Sequence, residues 1–319
     1  MWSYLARRLI QAIITLFFIT IICFTLTRLS GDPMAQYANR PGITGAQKLV
    51  IRRQLGLDQP LPIQYVKWLS LALQGQLGDS FFSKQPVTTL ILQRLPMTLI
   101  LMVTAQISII SVSLLLGIVA AIKQYSLTDN IITTFSFIGF SMPIFFIALG
   151  LMLIFAVQFK AWGLPYFPTG ADVWDQKDLR AMIWHLVLPV SCLTIIQVAG
   201  YSRFLRSSIL EVLGLDYIRT ARAKGLIERK VLFRHALRNA ALPFVTILGL
   251  DIAGLLGGAL VTESVYAWPG MGRLFWEYAQ RNDYPVVNGV LLMTSGAVVF
   301  FTIITDIAYT FIDPRIRLG

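Results

Sequence analysis

Charge is what this 319-residue sequence has least of. Only 13% of its residues are Asp, Glu, Lys or Arg and 56% are hydrophobic, where soluble domains carry about a quarter charged residues. That balance excludes a water-soluble globular protein of this length, because too few polar side chains remain to cover its surface. Histidine and cysteine are scarce too, with two of each. Cys23 and Cys192 both lie inside apolar runs, so neither a disulfide framework nor a zinc site is indicated and core packing is their expected role. There is no Gly-Lys pair, no H-E-x-x-H and no G-x-S-x-G, which removes the P-loop, the zinc protease and the serine-hydrolase elbow. The chain is not expected to be an enzyme, and any ATP-driven work must be powered by another chain.

What the sequence has instead is long apolar runs. A hydrocarbon core about 30 Å thick needs about 20 apolar residues per helix. Six segments meet that length, near Leu9–Leu29, Met97–Ile122, Asn130–Phe159, Ile183–Phe204, Ala240–Thr262 and Val290–Phe311. The expected fold class is therefore all-α, a polytopic membrane protein with six transmembrane helices. The first run exceeds the 7–15 apolar residues of a secretory signal and leaves through Thr27, Arg28 and Leu29, so it reads as a retained helix. Arg7, Arg8, Lys123, the bases between the fourth and fifth spans, and Arg315 with Arg317 fall on one face, which the positive-inside rule makes cytoplasmic. Both termini are then cytoplasmic. The segment 30–96 carries seven bases on the opposite side, but loops longer than about 60 residues largely escape the rule. The expected organisation is an N-terminus and first helix over 1–29, an external loop subdomain over 30–96, and a five-helix core over 97–319 with a cytoplasmic loop at 203–241. His185 and His235 fall on opposite sides of this membrane and cannot share a metal.

That cytoplasmic loop is the most informative stretch. Between Arg203 and Ala241 it holds nine Lys and Arg against three acids, more than half of the chain's net charge of +11. Asp216 is placed as a helix N-cap, Tyr217–Lys224 hold only side chains that a helix tolerates, and Gly225 is placed to stop it in the left-handed conformation. Glu228–Ala241 reads as a second helix, with Leu232, Phe233, Ala236, Leu237 and Ala240 on one side and Lys230, Arg234 and Arg238 on the other. A docking loop and a solvated basic loop that merely obeys topology both fit this pattern. Nucleic-acid binding is not expected, since topology and the anionic inner leaflet account for the bases. Membrane lipid is the expected surroundings.

Inside the spans, Gly254 and Gly258 form a G-x-x-x-G pair suited to close helix packing, and Ser141-Met142-Pro143 interrupts the third span, where proline favours a kink. Trp162, Tyr166, Trp174, Trp184, Tyr266 and Trp268 cluster at the external ends, the pattern of an interfacial belt. Asp251 stands near mid-membrane if the fifth span begins at Ala240, where an Asp costs about 2.5–3.5 kcal/mol on insertion. Such an acid either faces a water-filled cavity or is neutralised by local hydrogen bonding. Gln106 and Gln197 are weaker candidates for the same translocation wall.

The segments DYIRTARAKGL (216–226), HALRNA (235–240), TESVYAWPGMGRL (262–274), DYPVVNG (283–289) and DPRIR (313–317), with LGLDQPLPIQYVKWL (55–69), GQLGDS (75–80) and RLPMTL (94–99) upstream, resemble the permease subunits of the dipeptide, oligopeptide and nickel group of ATP-binding-cassette importers. The resemblance runs nearly end to end. It implies the type I importer permease fold in a bacterial inner membrane, with the 30–96 segment over the pore mouth. Implied partners are a homologous second permease, two ATPase subunits that hold ATP and Mg, and an external substrate-binding protein, with no cofactor on this chain. The coupling role falls by position on Asp216, Tyr217, Arg219, Thr220, Ala221, Arg222, Lys224 and Gly225. Ala221 and Gly225 match the general importer pattern of Glu-Ala-Ala, three residues, Gly, whereas Arg219 and Thr220 replace its Glu and first Ala, and the Leu-Pro lies farther on at 242–243. Peptides are the implied cargo. Nickel complexes or oligosaccharides on the same architecture are the alternatives, and a self-sufficient secondary transporter or channel is the reading from another class.

Overall fold

The structure is a computed structural model that describes residues 2–30, 44–54, 56–169, 178–241, 244, 247 and 259–312. Among them there is no strand, only an isolated bridge between Asp79 and Pro86. Backbone N–H and C=O groups have no water to bond in hydrocarbon, so a spanning chain satisfies them within helices. The helices are α1 (Trp2–Ser30), α2 (Gly45–Gln54), α3 (Leu61–Leu73), α4 (Val87–Ile122), α5 (Leu127–Ser141), α6 (Ile144–Met152), α7 (Leu179–Leu213), α8 (Asp216–Ala223), α9 (Glu228–Lys230, continuing to residue 241), α10 (Met271–Ala279) and α11 (Tyr284–Ile312). Five described stretches are long and apolar enough to cross a membrane: Ala6–Leu26, Val87–Ile122, Ile144–Ala161, Leu179–Leu213 and Tyr284–Thr305. Most of the expected fifth span, with Asp251, Gly254 and Gly258, lies outside the described residues. The third span is broken rather than kinked. Met142 and Pro143 both take extended backbone angles, because the proline ring disfavours helical geometry at the residue before it. Beyond the break, α6 passes through a π-turn at Leu153–Gln158 before ending at Ala161.

The chain divides into two compact units, one of residues 1–96 and 273–303, the other of 97–272 and 304–319. In the first, α1 leaves Ile10, Ile13, Ile14, Phe18 and Ile22 exposed and buries Thr20, Cys23 and Phe24. The Thr20 hydroxyl donates to the Phe17 carbonyl at 2.7 Å and lies 2.8 Å from the Tyr65 hydroxyl; its single proton is thus spent, and Tyr65 of α3 is the donor of the second bond. Two sequence-distant motifs meet here. Asp283, fully buried just ahead of α11, accepts from the Ser80 hydroxyl at 2.6 Å and the Phe82 N–H at 2.8 Å. The Arg281 guanidinium lies over the Phe82 ring at 3.9 Å.

In the second unit, Ile147, Ala148, Leu188, Cys192 and Tyr266 form one core, and the Tyr266 hydroxyl donates to the Ala148 carbonyl at 3.0 Å. Cys192 thus packs in the core as expected. Trp162, Tyr166 and Trp184 are exposed, but Tyr266 and Trp268 are buried and belong to the interior rather than to an outer belt. Trp268 donates to the Met97 carbonyl at 2.9 Å. Glu263, fully buried, accepts from the Thr98 hydroxyl at 2.7 Å and from the Gly272 N–H at 2.6 Å, while Met271 N–H donates to Thr98 at 2.7 Å. The buried Glu263 carboxylate and the Thr98 hydroxyl thereby satisfy the Gly272 and Met271 N–H groups that open α10. Gly270 is required by this arrangement, because a Cβ there would run into the Glu263 carboxylate. Gly270→Ala should therefore cost about 1–3 kcal/mol and lower the unfolding midpoint, whereas Gly150→Ala, with nothing within 4 Å, should not. Calorimetry of the purified variants checks the contrast.

Candidate functional site

Helix α7 has 35 residues and a length of about 52 Å at 1.5 Å per residue, well beyond a hydrocarbon core of about 30 Å. Its C-terminal part is anchored by an ion pair. Arg206 makes a two-pronged contact with Asp129, Nε to Oδ1 at 2.8 Å and Nη2 to Oδ2 at 2.7 Å. Asp129 is buried and also accepts from the Tyr125 N–H at 2.9 Å, while its own N–H donates to the Ser126 hydroxyl at 3.3 Å. The Arg206 guanidinium holds the Asp129 carboxyl below the ordinary carboxylate value. One of the nine bases of the loop is therefore half-buried and already paired within the chain. The Ser126-x-x-Asp129 spacing ahead of an apolar run is a capping pattern visible in the sequence.

Past Gly214 the chain turns into α8, whose cap is Leu215 with no side-chain bond. Asp216 is the first helical residue rather than the N-cap, and its carboxylate, favourable at a helix N-terminus, lies 3.4 Å from Arg219 at the surface. The other end of α8 is as expected. Gly225 has φ +77°, its N–H bonds the Arg222 carbonyl at 2.9 Å, and the Leu226 N–H bonds the Ala221 carbonyl at 3.4 Å. These are the two bonds of a Schellman stop. Leu226 packs beside Ile218, Ala221, Val231 and Ala236 in a small core with Val212 and Leu213, the apolar contact that accompanies such stops.

The returning helix α9 is continuous from Glu228 to 241 but contains a π-turn at Val231–Ala236. The extra residue per turn shifts the buried face to Val231, Leu232, Ala236 and Ala240 and leaves Phe233 exposed, contrary to a regular 3.6-residue reading. Arg222 pairs with Glu228 at 2.8 Å and Asn239 donates to the Tyr217 hydroxyl at 2.7 Å. The exposed pair contributes about 0–1 kcal/mol. Ile218 and Ala221 are buried, whereas Asp216, Tyr217, Arg219, Thr220, Arg222, Ala223 and Lys224 are exposed. Of the eight positions singled out in the sequence, Ala221 is the buried one, facing the hairpin's own core, where its small size suits the contact with α9. The face left open is cationic with a low relief at Thr220 and Ala223.

The translocation candidates are not brought together as a described site. Asp251 lies outside the described residues. Gln106 on α4 has both amide atoms buried, without a hydrogen-bond partner among the described residues, and Gln197 is half-buried on α7. No group of three or more His, Cys, Asp or Glu that could hold a metal occurs among the described residues.

Comparison with known proteins gives this geometry a context. Residues 113–318 match the family model described as binding-protein-dependent transport system inner membrane component, and residues 1–102 match the model of the N-terminal part of such components. The chain belongs to this family. It is a multi-pass protein of the bacterial inner membrane. It is 40% identical over 321 residues to the oligopeptide transport system permease protein AppB of Bacillus subtilis, covering 99% of this chain and 100% of that one. It is 37% identical over 341 residues to the dipeptide transport system permease protein DppB of Escherichia coli, covering 99% of each. The crystal structure of an amino acid ABC transporter with histidines shares the fold, with a TM-score of 0.50 and 17% identity over 70% of this chain and 94% of that one.

In a family member of this architecture the stop at Gly225 sets the angle between α8 and α9. Gly225→Val places a β-branched residue in the left-handed region, at a cost of about 1–2 kcal/mol or more, and should lower transport while the protein still inserts in the membrane. Uptake measured against the amount of protein in the membrane checks this. Gly225→Asn, which tolerates that region, should retain most of the activity.

Proposed function

We propose that this chain is the permease subunit of an ATP-driven peptide importer, forming the translocation path with a homologous second permease. The relationship over full length to two peptide permeases carries the reading, and the open cationic face of α8 agrees with it. In this reading an external binding protein delivers the peptide. Two ATPase subunits hold ATP and Mg, and their closing is passed to the helix bundle through the α8–α9 hairpin. Arg219, Arg222 and Lys224 supply donors for carboxylates or carbonyls on the ATPase rim, and Thr220 and Ala223 let the helix sit low in a groove. Asp251, Gln106 and Gln197 belong to the path, where a carboxylate favours cargo carrying a free amine. The sixth crossing falls at 240–262, which brings both termini to the cytoplasm.

Two experiments test this. Reversing the charges of the exposed face in Arg219→Glu with Lys224→Glu should lower peptide-stimulated ATP hydrolysis and uptake by about tenfold or more, the equivalent of about 1.4 kcal/mol. Unchanged uptake would remove the face from coupling. For orientation, single cysteines at exposed Asp58 and Arg229 should differ: Asp58→Cys should react with a membrane-impermeant thiol reagent from outside and Arg229→Cys should not. The reverse pattern would invert the topology.

A further inference from the structure

Arg203 lies one turn of α7 before Arg206. Its guanidinium carbon lies over the Phe137 ring of α5, 4.8 Å from the ring centre, and the residue is exposed. Among the described residues no carboxylate lies within 4 Å of it; Asp129, the nearest candidate by position, is taken by Arg206. The two arginines border a narrow groove, with an enclosed space of about 10 Å³, together with Ile132, Phe137, Phe140 and Ala199 between α5 and α7 and Ala120 of α4 at its floor. Phe137 and Phe140 expose about half or more of their surface, as side chains facing lipid do.

Depth can be set from α7 itself. Trp184, exposed and donating to the Tyr166 carbonyl at 3.1 Å, marks the outer interface in the manner of belt tryptophans. Nineteen residues separate it from Arg203, about 28 Å along a helix, and the hydrocarbon core is about 30 Å thick. Arg203 therefore stands at the inner edge of the hydrocarbon, level with the headgroups. With its guanidinium exposed and no carboxylate beside it, Arg203 keeps N–H groups for a ligand, in a fork that fits two phosphate oxygens. A zwitterionic headgroup carries its own ammonium to compete for that phosphate, and an anionic one does not. Basic pockets between transmembrane helices on the cytoplasmic side recur as sites for anionic headgroups.

We propose that the groove between α5 and α7 is a binding site for one anionic phospholipid of the inner leaflet, with its phosphate on Arg203 and an acyl chain along Phe137 and Phe140. The leaflet rests on the orientation proposed above, but the site itself does not, and its test is independent of transport. The delipidated transporter in detergent, with its partner subunits, is titrated with phosphatidylglycerol, phosphatidylcholine or glycerol phosphate while its thermal unfolding is followed. A ligand of the native state raises the midpoint by mass action. Phosphatidylglycerol should raise it on the order of 3 °C, Arg203→Gln should abolish most of that rise, Arg203→Lys should keep part of it, and Arg234→Gln, an exposed base outside the groove, should keep all of it. An equal rise with phosphatidylcholine would overturn the headgroup assignment, and an equal rise with glycerol phosphate would make the site one for a soluble anion. A full rise in Arg203→Gln, or loss of the second permease from that variant, would also overturn the proposal, the latter by making the groove a subunit interface. Should Arg203→Gln fail to fold, Phe137→Leu gives the same reading: a full phosphatidylglycerol rise in it contradicts the site.

Discussion

The contact between Asp129 and Arg206 is the constraint on which the hairpin-bearing end of the second unit depends. It joins the first turn of α5 to the C-terminal part of α7, through two bonds of 2.7–2.8 Å. Asp129 is buried, so removing Arg206 would leave a charge without its partner, a loss that is large for buried groups. Arg206 retains 23% of its side-chain exposure, so solvent tempers the reverse loss. Everything beyond Arg206 hangs on this point: the last turns of α7, the turn at Gly214, and the α8–α9 hairpin.

The hairpin is small, and its rigidity comes from local devices. Ile218 and Val231 are fully buried against each other's helix surroundings, Gly225 closes α8 with both carbonyl bonds of the stop, and the π-turn of α9 brings Val231 inward. A short helix of eight residues is unstable alone, since nucleation costs more than its few bonds return. Packing supplies the stability, and it does so on one face only. That leaves the opposite face polar, cationic and shallow, which is the combination a docked helix needs to read an acidic or carbonyl-lined groove.

Much of this was legible in the sequence, and the failures have physical causes. Apolar run length exposed the membrane class, and Gly225 after a run of helix formers exposed the stop, because both are local rules. Asp216 was misplaced by one position because Leu215 already has the extended backbone of a cap and the turn at Gly214 sets the start. Phe233 was placed on the wrong side because periodicity assumes 3.6 residues per turn and a π-turn breaks the register. The third span breaks outright at Pro143, where only a kink was expected. The meetings of Ser80 with Asp283 and Thr98 with Glu263 bridge 203 and 165 residues, and no local pattern encodes such pairs. The motifs that carry the family resemblance were visible, but not that they are each other's hydrogen-bond partners.

The central claim is that the exposed face of α8, and not its buried face, meets the ATPase. A photoreactive side chain introduced singly at Thr220 or Ala221 in the assembled transporter tests it most directly. These neighbours are turned by about 100° around the helix, Thr220 exposed and Ala221 facing into the hairpin core. The account predicts a crosslink to the ATPase subunit from position 220 and none from position 221. A crosslink from 221 with none from 220 would contradict it.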